Sequence, residues 1–345
     1  MSEKDLKTWR RLYEAANLLM AQKPWELEDD QDYDFVTIEQ RDGKPSVYCT
    51  LVGWLEKSHT ISVYETNDAL FDIIYQIEHE DIPWHQLSRY NKSLNVIFGD
   101  RDQLLPADRK MIEILGLKYR GRRAWPMFRA YEKGRYDRRL NVREAASLAE
   151  VIVQLAEVYA DIRSDKLVSI DTNENTILRR FDSNSKRWTT EIAALNDEPR
   201  SIMSFSVTDE TLLKQLKKMK KLKTVLEIDV MYHIISTERD SNGRSILDRF
   251  AMCCEAEKPS DPYLMEALGT EDEEIPTILN ILVGYIEKFG RPREIKLRDD
   301  MIEASIKEIC DELGIRTSVS ASLPAIDAVF LSRTGLDKLD ISDEE

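Results

Sequence analysis

Apolar positions recur at helical spacing over residues 3–21, where Leu6, Trp9, Leu12, Tyr13, Ala16 and Leu19 fall on one face. That spacing predicts an amphipathic helix. The pattern then changes to alternation in "DFVTIEQ", "SVYCTLVGWL" and "HTISVYE", runs of β-branched and aromatic residues that predict strands. "RDGK" supplies a hairpin turn between the first two. Helical spacing returns in "NDALFDIIYQIEH", a strand follows in "SLNVIFGD", and Pro106 opens a helix in "PADRKMIEILG", a position where a proline forfeits no hydrogen bond. Asn141 precedes Glu144 by three residues and so predicts a capping box at the start of "VREAASLAEVIVQLAEVYADI". These elements predict an α+β domain over residues 1–162, with the polar "RSDK" as the boundary.

Beyond the boundary come "LVSID", a strand pair "TILRRF" and "RWTTEIAAL" around the turn-forming "DSNSK", and a β-α unit made of "SIMSFSV" and "ETLLKQLKKMKKL". The lysines in the last of these form a solvated helix face. From residue 224 the order is strand, turn, strand, helix, strand, helix, strand, helix. Leu279, Leu282, Val283 and Ile286 line one face of the first helix, and Ile302, Ile306, Ile309 and Leu313 one face of the second. Alternating strands and helices predict an α/β domain over 166–339, with its core at 224–339. Its sheet is mixed, an antiparallel hairpin leading into parallel strands under flanking helices, and residues 340–345 form an acidic tail.

Composition narrows the chemistry. With 49 Lys+Arg against 64 Asp+Glu the net charge is -15, which disfavours diffuse adhesion to nucleic acid or anionic membranes. The charged N-terminus lacks a signal-peptide core and no run approaches a membrane span, so a cytoplasmic protein is expected. Cys49, Cys253, Cys254 and Cys310 form no C-x-x-C pair, and the four histidines match no zinc or hydrolase motif. No Walker loop or G-x-G-x-x-G is present.

Two features carry candidate chemistry. The first is a set of acids: Glu227 and Asp229 in the strand "TVLEIDVMYHII", Asp299 and Asp300 at the end of "REIKLRDD", and Asp327 in "PAIDAVF". Asp299 or Asp300 can cap the following helix, and Glu227 and Asp229, two apart, can share a solvent-facing side of their strand. A half-buried strand aspartate needs a cation, which Lys, Arg or a metal supplies equally. With "LEIDV", "GRPREIKLRDD" and "ELGI" followed by a strand and a proline, the stretch from Thr224 onward resembles the ribonuclease H-like superfamily, specifically the integrase and transposase core. That resemblance implies that Asp229, Asp299 and Asp327 would hold Mg²⁺ or Mn²⁺ for phosphodiester chemistry. "PAIDAVF" departs from the Asn-Gly-x-x-Glu helix of integrases, and Asp300 and Met301 stand where they have a small, turn-forming residue after the second aspartate. The set is therefore expected to be degraded and to hold no cofactor. Through "FGDRDQLLPADRKMIEILGLKYRGRRAWPMFRAYEKGRY" and "KTVLEIDVMYH", the whole chain also resembles a bacterial family of paired domains of unknown function.

The second feature is the basic, aromatic segment 118–143, with ten Lys or Arg against Glu132 and Asp137, interleaved with Tyr119, Trp125, Phe128, Tyr131 and Tyr136. One reading pairs its arginines with carboxylates of the second domain and sets Trp125 and Phe128 between the domains. The other makes it a surface for nucleic acid or an acidic partner, carried by Arg122, Arg123, Trp125, Arg129 and Arg135. The sequence as a whole predicts a non-enzymatic protein that binds another macromolecule, against the alternative of a divalent-metal nuclease or strand-transfer enzyme.

Overall fold

The computed structural model describes residues 2–27, 35–41, 43–52, 58–164, 175–195, 210–235, 239, 245–258, 262–269 and 273–338. The chain forms two compact units, the first from Met1–Ile74, Asn91–Lys133 and Asp137–Pro199, the second from Tyr75–Tyr90, Gly134–Tyr136 and Arg200–Glu345.

In the first part of the chain the elements are α1 (Glu3–Gln22), β1 (Val36–Ile38), β2 (Val47–Val52), β3 (His59–Tyr64), α2 (Asn67–Glu78), β4 (Ser93–Gly99), α3 (Pro106–Ile114), β5 (Trp125–Tyr131), α4 (Val142–Arg163), β6 (Asn175–Asp182) and β7 (Arg187–Ala194). A capping box at Ser2 starts α1 and another at Asn141 starts α4, each satisfying amide groups that the first helical turn leaves orphaned. Apolar stripes of both helices, among them Leu12, Ala16, Leu148 and Ile152, share one core with Val36, Val47, Ile61 and Val96 of the sheet.

That sheet has seven strands in the order β5-β4-β3-β2-β1-β6-β7, antiparallel throughout except where β1 and β6 run parallel. The hairpin β6–β7 thus extends the first sheet, although the sequence reading ended the first domain at residue 162. The short β1 leaves an edge to fill, and Thr176 fastens β6 there: its hydroxyl donates to the Phe35 carbonyl at 2.7 Å and accepts from the Thr37 amide at 3.1 Å. "LVSID" and "SIMSFSV" lie outside the described residues.

The second unit holds α5 (Glu210–Lys218), β8 (Val225–His233), β9 (Asp248–Glu255), β10 (Leu264–Leu268), α6 (Glu274–Phe289), β11 (Glu294–Leu297), α7 (Asp300–Leu313), β12 (Arg316–Val319) and α8 (Pro324–Thr334). Its five strands lie in the order β10-β9-β8-β11-β12. β8, β9 and β10 are antiparallel, while β11 runs parallel to both β8 and β12. The two units are therefore each mixed α/β, with a mixed sheet and flanking helices.

Central position buries β8 on both faces. Leu226, Ile228, Val230 and Tyr232 join the core formed with α6 and α7. The intervening Met231 packs with Ile326 and Phe330 of α8, and by the two-residue period of a strand Glu227 and Asp229 point the same way. Both acids are buried, at 3% and 1% exposure, so the solvent-facing alternative for them fails.

An arginine-filled carboxylate cluster

Asp229 sits in the middle of β8, where both strand neighbours and α8 exclude water, so each carboxylate oxygen needs a donor. Its Oδ1 accepts from Arg89 Nη1 at 2.5 Å and from the Val230 amide at 2.8 Å, and its Oδ2 from Arg298 Nε at 2.9 Å. Arg298 follows β11 and is fully buried. Its fork continues through Nη2 to Asp327 Oδ1 at 2.7 Å and through Nη1 to the Ala321 carbonyl. The guanidinium lies between the first and third predicted ligands and bonds both.

Arg89 comes from the 3-10 stretch Trp84–Arg89 and is also buried. Besides Asp229 it reaches Glu274 Oε2 at 3.4 Å and lies 3.6 Å from Asp299 Oδ2. Asp299 does what its position predicts for a cap: its Oδ1 accepts from the amides of Met301 at 2.8 Å and Ile302 at 3.3 Å at the head of α7. Asp327, in the first turn of α8, accepts from the Leu323 amide at 3.1 Å. Tyr232 donates to Glu274, and Tyr75 donates to the Arg298 carbonyl at 2.6 Å. His85 is buried against Phe330, with Nε2 3.8 Å from Asp327 Oδ1.

The charges respond to this packing. Burial pulls Arg89 and Arg298 toward neutrality, but Asp229 with Glu274 for the first, and Asp229 with Asp327 for the second, outweigh it and hold both above the usual arginine value. Glu227 is bound differently, its Oε2 accepting from the Ala325 and Ile326 amides at 2.8 and 3.0 Å, where the N-terminus of α8 favours negative charge. Burial still raises its carboxyl above the ordinary value. The four cysteines are free and buried.

The three predicted acids are thus brought together, through arginines that the sequence reading missed. Arg298 stood in plain view inside "REIKLRDD", an arginine at the end of an apolar strand beside two aspartates; Arg89 in "WHQLSRY" gave no comparable signal.

The basic segment divides. Arg129 is buried and bound to Asp108 at 2.7 and 3.3 Å, so it belongs to the interior of the first unit instead of to a binding surface. Arg138 joins Glu132 and Glu144 at 2.6 Å each. Phe128 meets Tyr13 edge-on at 4.9 Å and Trp125 packs near Tyr119 at 5.8 Å, which places both aromatics in the first unit's own packing and corrects the reading that set them between domains. Arg135 forms a backbone bridge with Ile246 in the second unit. Arg122 and Arg123 stay near the surface of the first unit, where Arg122 Nε lies 3.8 Å from Asp100 Oδ2 and the Arg123 amide donates to Asp100 Oδ1 at 2.7 Å.

Residues 9–180 match the model of a family described as Domain of unknown function (DUF7309), and residues 212–332 one described as Domain of unknown function (DUF6930). The pair fits an uncharacterised two-domain family. No curated protein matches the chain. Among solved structures, a chain of the simian T-cell lymphotropic virus intasome in complex with PP2A regulatory subunit B56 gamma is similar at 15% identity and a TM-score of 0.24. The match covers 38% of this chain and 48% of that one, about half its length. Among the described residues no helix is long and apolar enough to cross a membrane.

Proposed function

We propose that the second unit is a ribonuclease H-like module whose acid cluster is closed by arginine, and that the protein works by binding a macromolecule without cutting it. Its strand order, three antiparallel strands continued by two parallel ones with an aspartate inside the central strand, supports the first half of this reading. One observation carries the second half. The fully buried Arg298 bonds Asp229 and Asp327 at once. A divalent ion entering there would have to displace a guanidinium and strand it without its partners, a loss of about 3 to 5 kcal/mol for a buried pair.

The second reading, a metal-dependent phosphodiesterase, has in its support that Asp229, Asp299 and Asp327 all lie beside one pair of arginines, although among the described residues no group of three or more acids, histidines or cysteines is placed to hold a metal ion. Calorimetric titration of Mn²⁺ into the wild type and Asp229→Ala, with cleavage assays on labelled single and double strands, separates the two. Neither metal heat nor cleavage is expected from the wild type. Metal-dependent cleavage that disappears in Asp229→Ala would overturn the non-catalytic reading.

A further inference from the structure

We infer that the first unit carries a site for single-stranded nucleic acid beside α3, centred on Trp125 and Tyr119. A cavity of about 510 Å³ opens there, lined by Arg101, Arg109, Lys118, Glu113 and the two aromatic residues, a size that accommodates a nucleobase with its sugar. The Arg101 guanidinium lies 5.9 Å from the Trp125 ring centroid, so cation and ring already face one another as they do around stacked bases. Tyr119 also lines the cavity, and its hydroxyl is buried.

The cations are available. Arg101, Arg109 and Lys118 are exposed, and among the described residues none forms an ion pair; the contacts of Arg109 are to the carbonyls of Arg101 and Asp102, both at 3.4 Å. The exposed Arg120 extends the positive surface beyond the cavity, while Arg122 lies beside Asp100. Glu113 is the one acid in the lining. In a chain of net charge -15 such a patch attracts anions only locally. An acidic peptide would need the cations alone. Trp125 and Tyr119, whose rings pack 5.8 Å apart, add the aromatic surface that a base requires, and a base can reach it only when it is not held in a duplex.

The inference names the partner that the macromolecule-binding reading leaves open and rests on it only there. If nucleic-acid binding failed, the arginine-closed cluster, which metal heat and cleavage test, would be untouched. The experiment is fluorescence anisotropy of labelled oligo-dT and oligo-rU of about twelve nucleotides, with the full chain, in about 50 to 200 mM KCl. Arg109→Ala with Lys118→Ala removes two exposed side chains. This double variant is expected to bind at least about tenfold more weakly at low salt, with a slope of log affinity against log salt shallower by about 1.4. Trp125→Leu is expected to weaken binding by about tenfold with the slope unchanged. Should that variant unfold, Arg101→Ala takes its place, expected to lower both affinity and slope. Absent binding at low salt, a double variant that binds as the wild type does, or equal displacement by poly-glutamate of matched charge would overturn the inference, the last by assigning the patch to an acidic protein.

Discussion

Replacing Arg298 with methionine tests the cluster at its centre. The substitution keeps most of the buried volume, and the flexible thioether adapts to what remains, so the cost is chiefly electrostatic. Three acceptors lose a donor: Asp229 Oδ2, Asp327 Oδ1 and the Ala321 carbonyl. Removing one member of a buried ion pair costs about 3 to 5 kcal/mol. Asp229 retains Arg89 and the Val230 amide, and Asp327 retains the Leu323 amide, which places the expected loss near the lower figure, about 3 kcal/mol. Adding Asp327→Asn removes one of the stranded charges. The double variant is therefore expected to recover about 1 to 2 kcal/mol, a favourable coupling between residues in contact.

Because the chain forms two compact units, a single melting curve would mix their transitions. Hydrogen exchange of the β8 amides against urea reads the second unit by itself. The same samples with MnCl₂ supply a second readout: with Arg298 gone, the freed carboxylates are expected to accept the ion, and at a hundredfold excess over the dissociation constant binding stabilises by about 2.7 kcal/mol. A loss below about 1 kcal/mol, additive effects of Arg298→Met and Asp327→Asn, or equal Mn²⁺ stabilisation of the wild type would each refute the reasoning that the arginine neutralises these acids.

Glu227→Gln keeps an acceptor for the two α8 amides and removes the charge. Burial raises the Glu227 carboxyl above its ordinary value of 4.5, so its contribution to stability is complete below that pH and is lost as pH rises through the folded-state value. The stability of the wild type minus that of the variant should fall as pH rises from about 4.5, and urea titrations giving a pH-independent difference would contradict this. Asp299→Ala should lower stability by about 1 kcal/mol through the lost cap, and Asp299→Ser should restore most of it; equal losses would shift the role of Asp299 to its contact with Arg89. Gly290 has φ 120° and a Cβ there would lie 2.6 Å from the Lys220 carbonyl, whereas Gly314, at φ 65°, would meet only the flexible end of Lys221 at 3.5 Å. Hydrogen exchange of the second unit's amides against urea should therefore show Gly290→Ala costing clearly more than Gly314→Ala, with about 1 kcal/mol expected for the latter.

The elements legible in the sequence were those whose own periodicity is complete. The stripes of α1, α6 and α7 and the capping box at Asn141 needed no partner to be recognised. Two strands were missed because their signals are compromised locally. Trp125–Tyr131 contains Pro126 and Arg129 and hides in a basic run, and Leu264–Leu268 pairs through backbone with β9 while Glu266 and Ala267 are exposed and its other side chains only half-buried, so no alternation marks it. The placement of β6 beside β1 could not be read at all, since a parallel pairing across some 140 residues leaves no local trace. At the cluster the acids were legible and their cations were not. A strand aspartate announces that it needs a positive partner, but which of 49 Lys and Arg supplies it is decided by tertiary packing.

The distribution of burial within the cluster bears on its proposed role. Asp229, at 1% side-chain exposure, has two arginines. Asp327, at 13%, has one, together with a backbone amide. Asp299, at 17%, has a longer contact to Arg89 and otherwise serves its helix, and Glu274, at 23%, shares the same arginine at 3.4 Å. The most deeply buried aspartate thus has the fullest cationic compensation, which is what an interior ion network needs, because the desolvation cost of a charge grows as solvent recedes. Carboxylates that bind a catalytic ion face a different requirement: their free oxygens converge on one point that substrate can also reach. Here the most deeply buried acid has both oxygens engaged by protein donors, while the solvent-accessible ones are turned to a helix N-terminus and a tyrosine hydroxyl. On the non-catalytic reading, the burial that makes a strand aspartate a good metal ligand is the same property that makes Arg298 difficult to displace once it occupies that position.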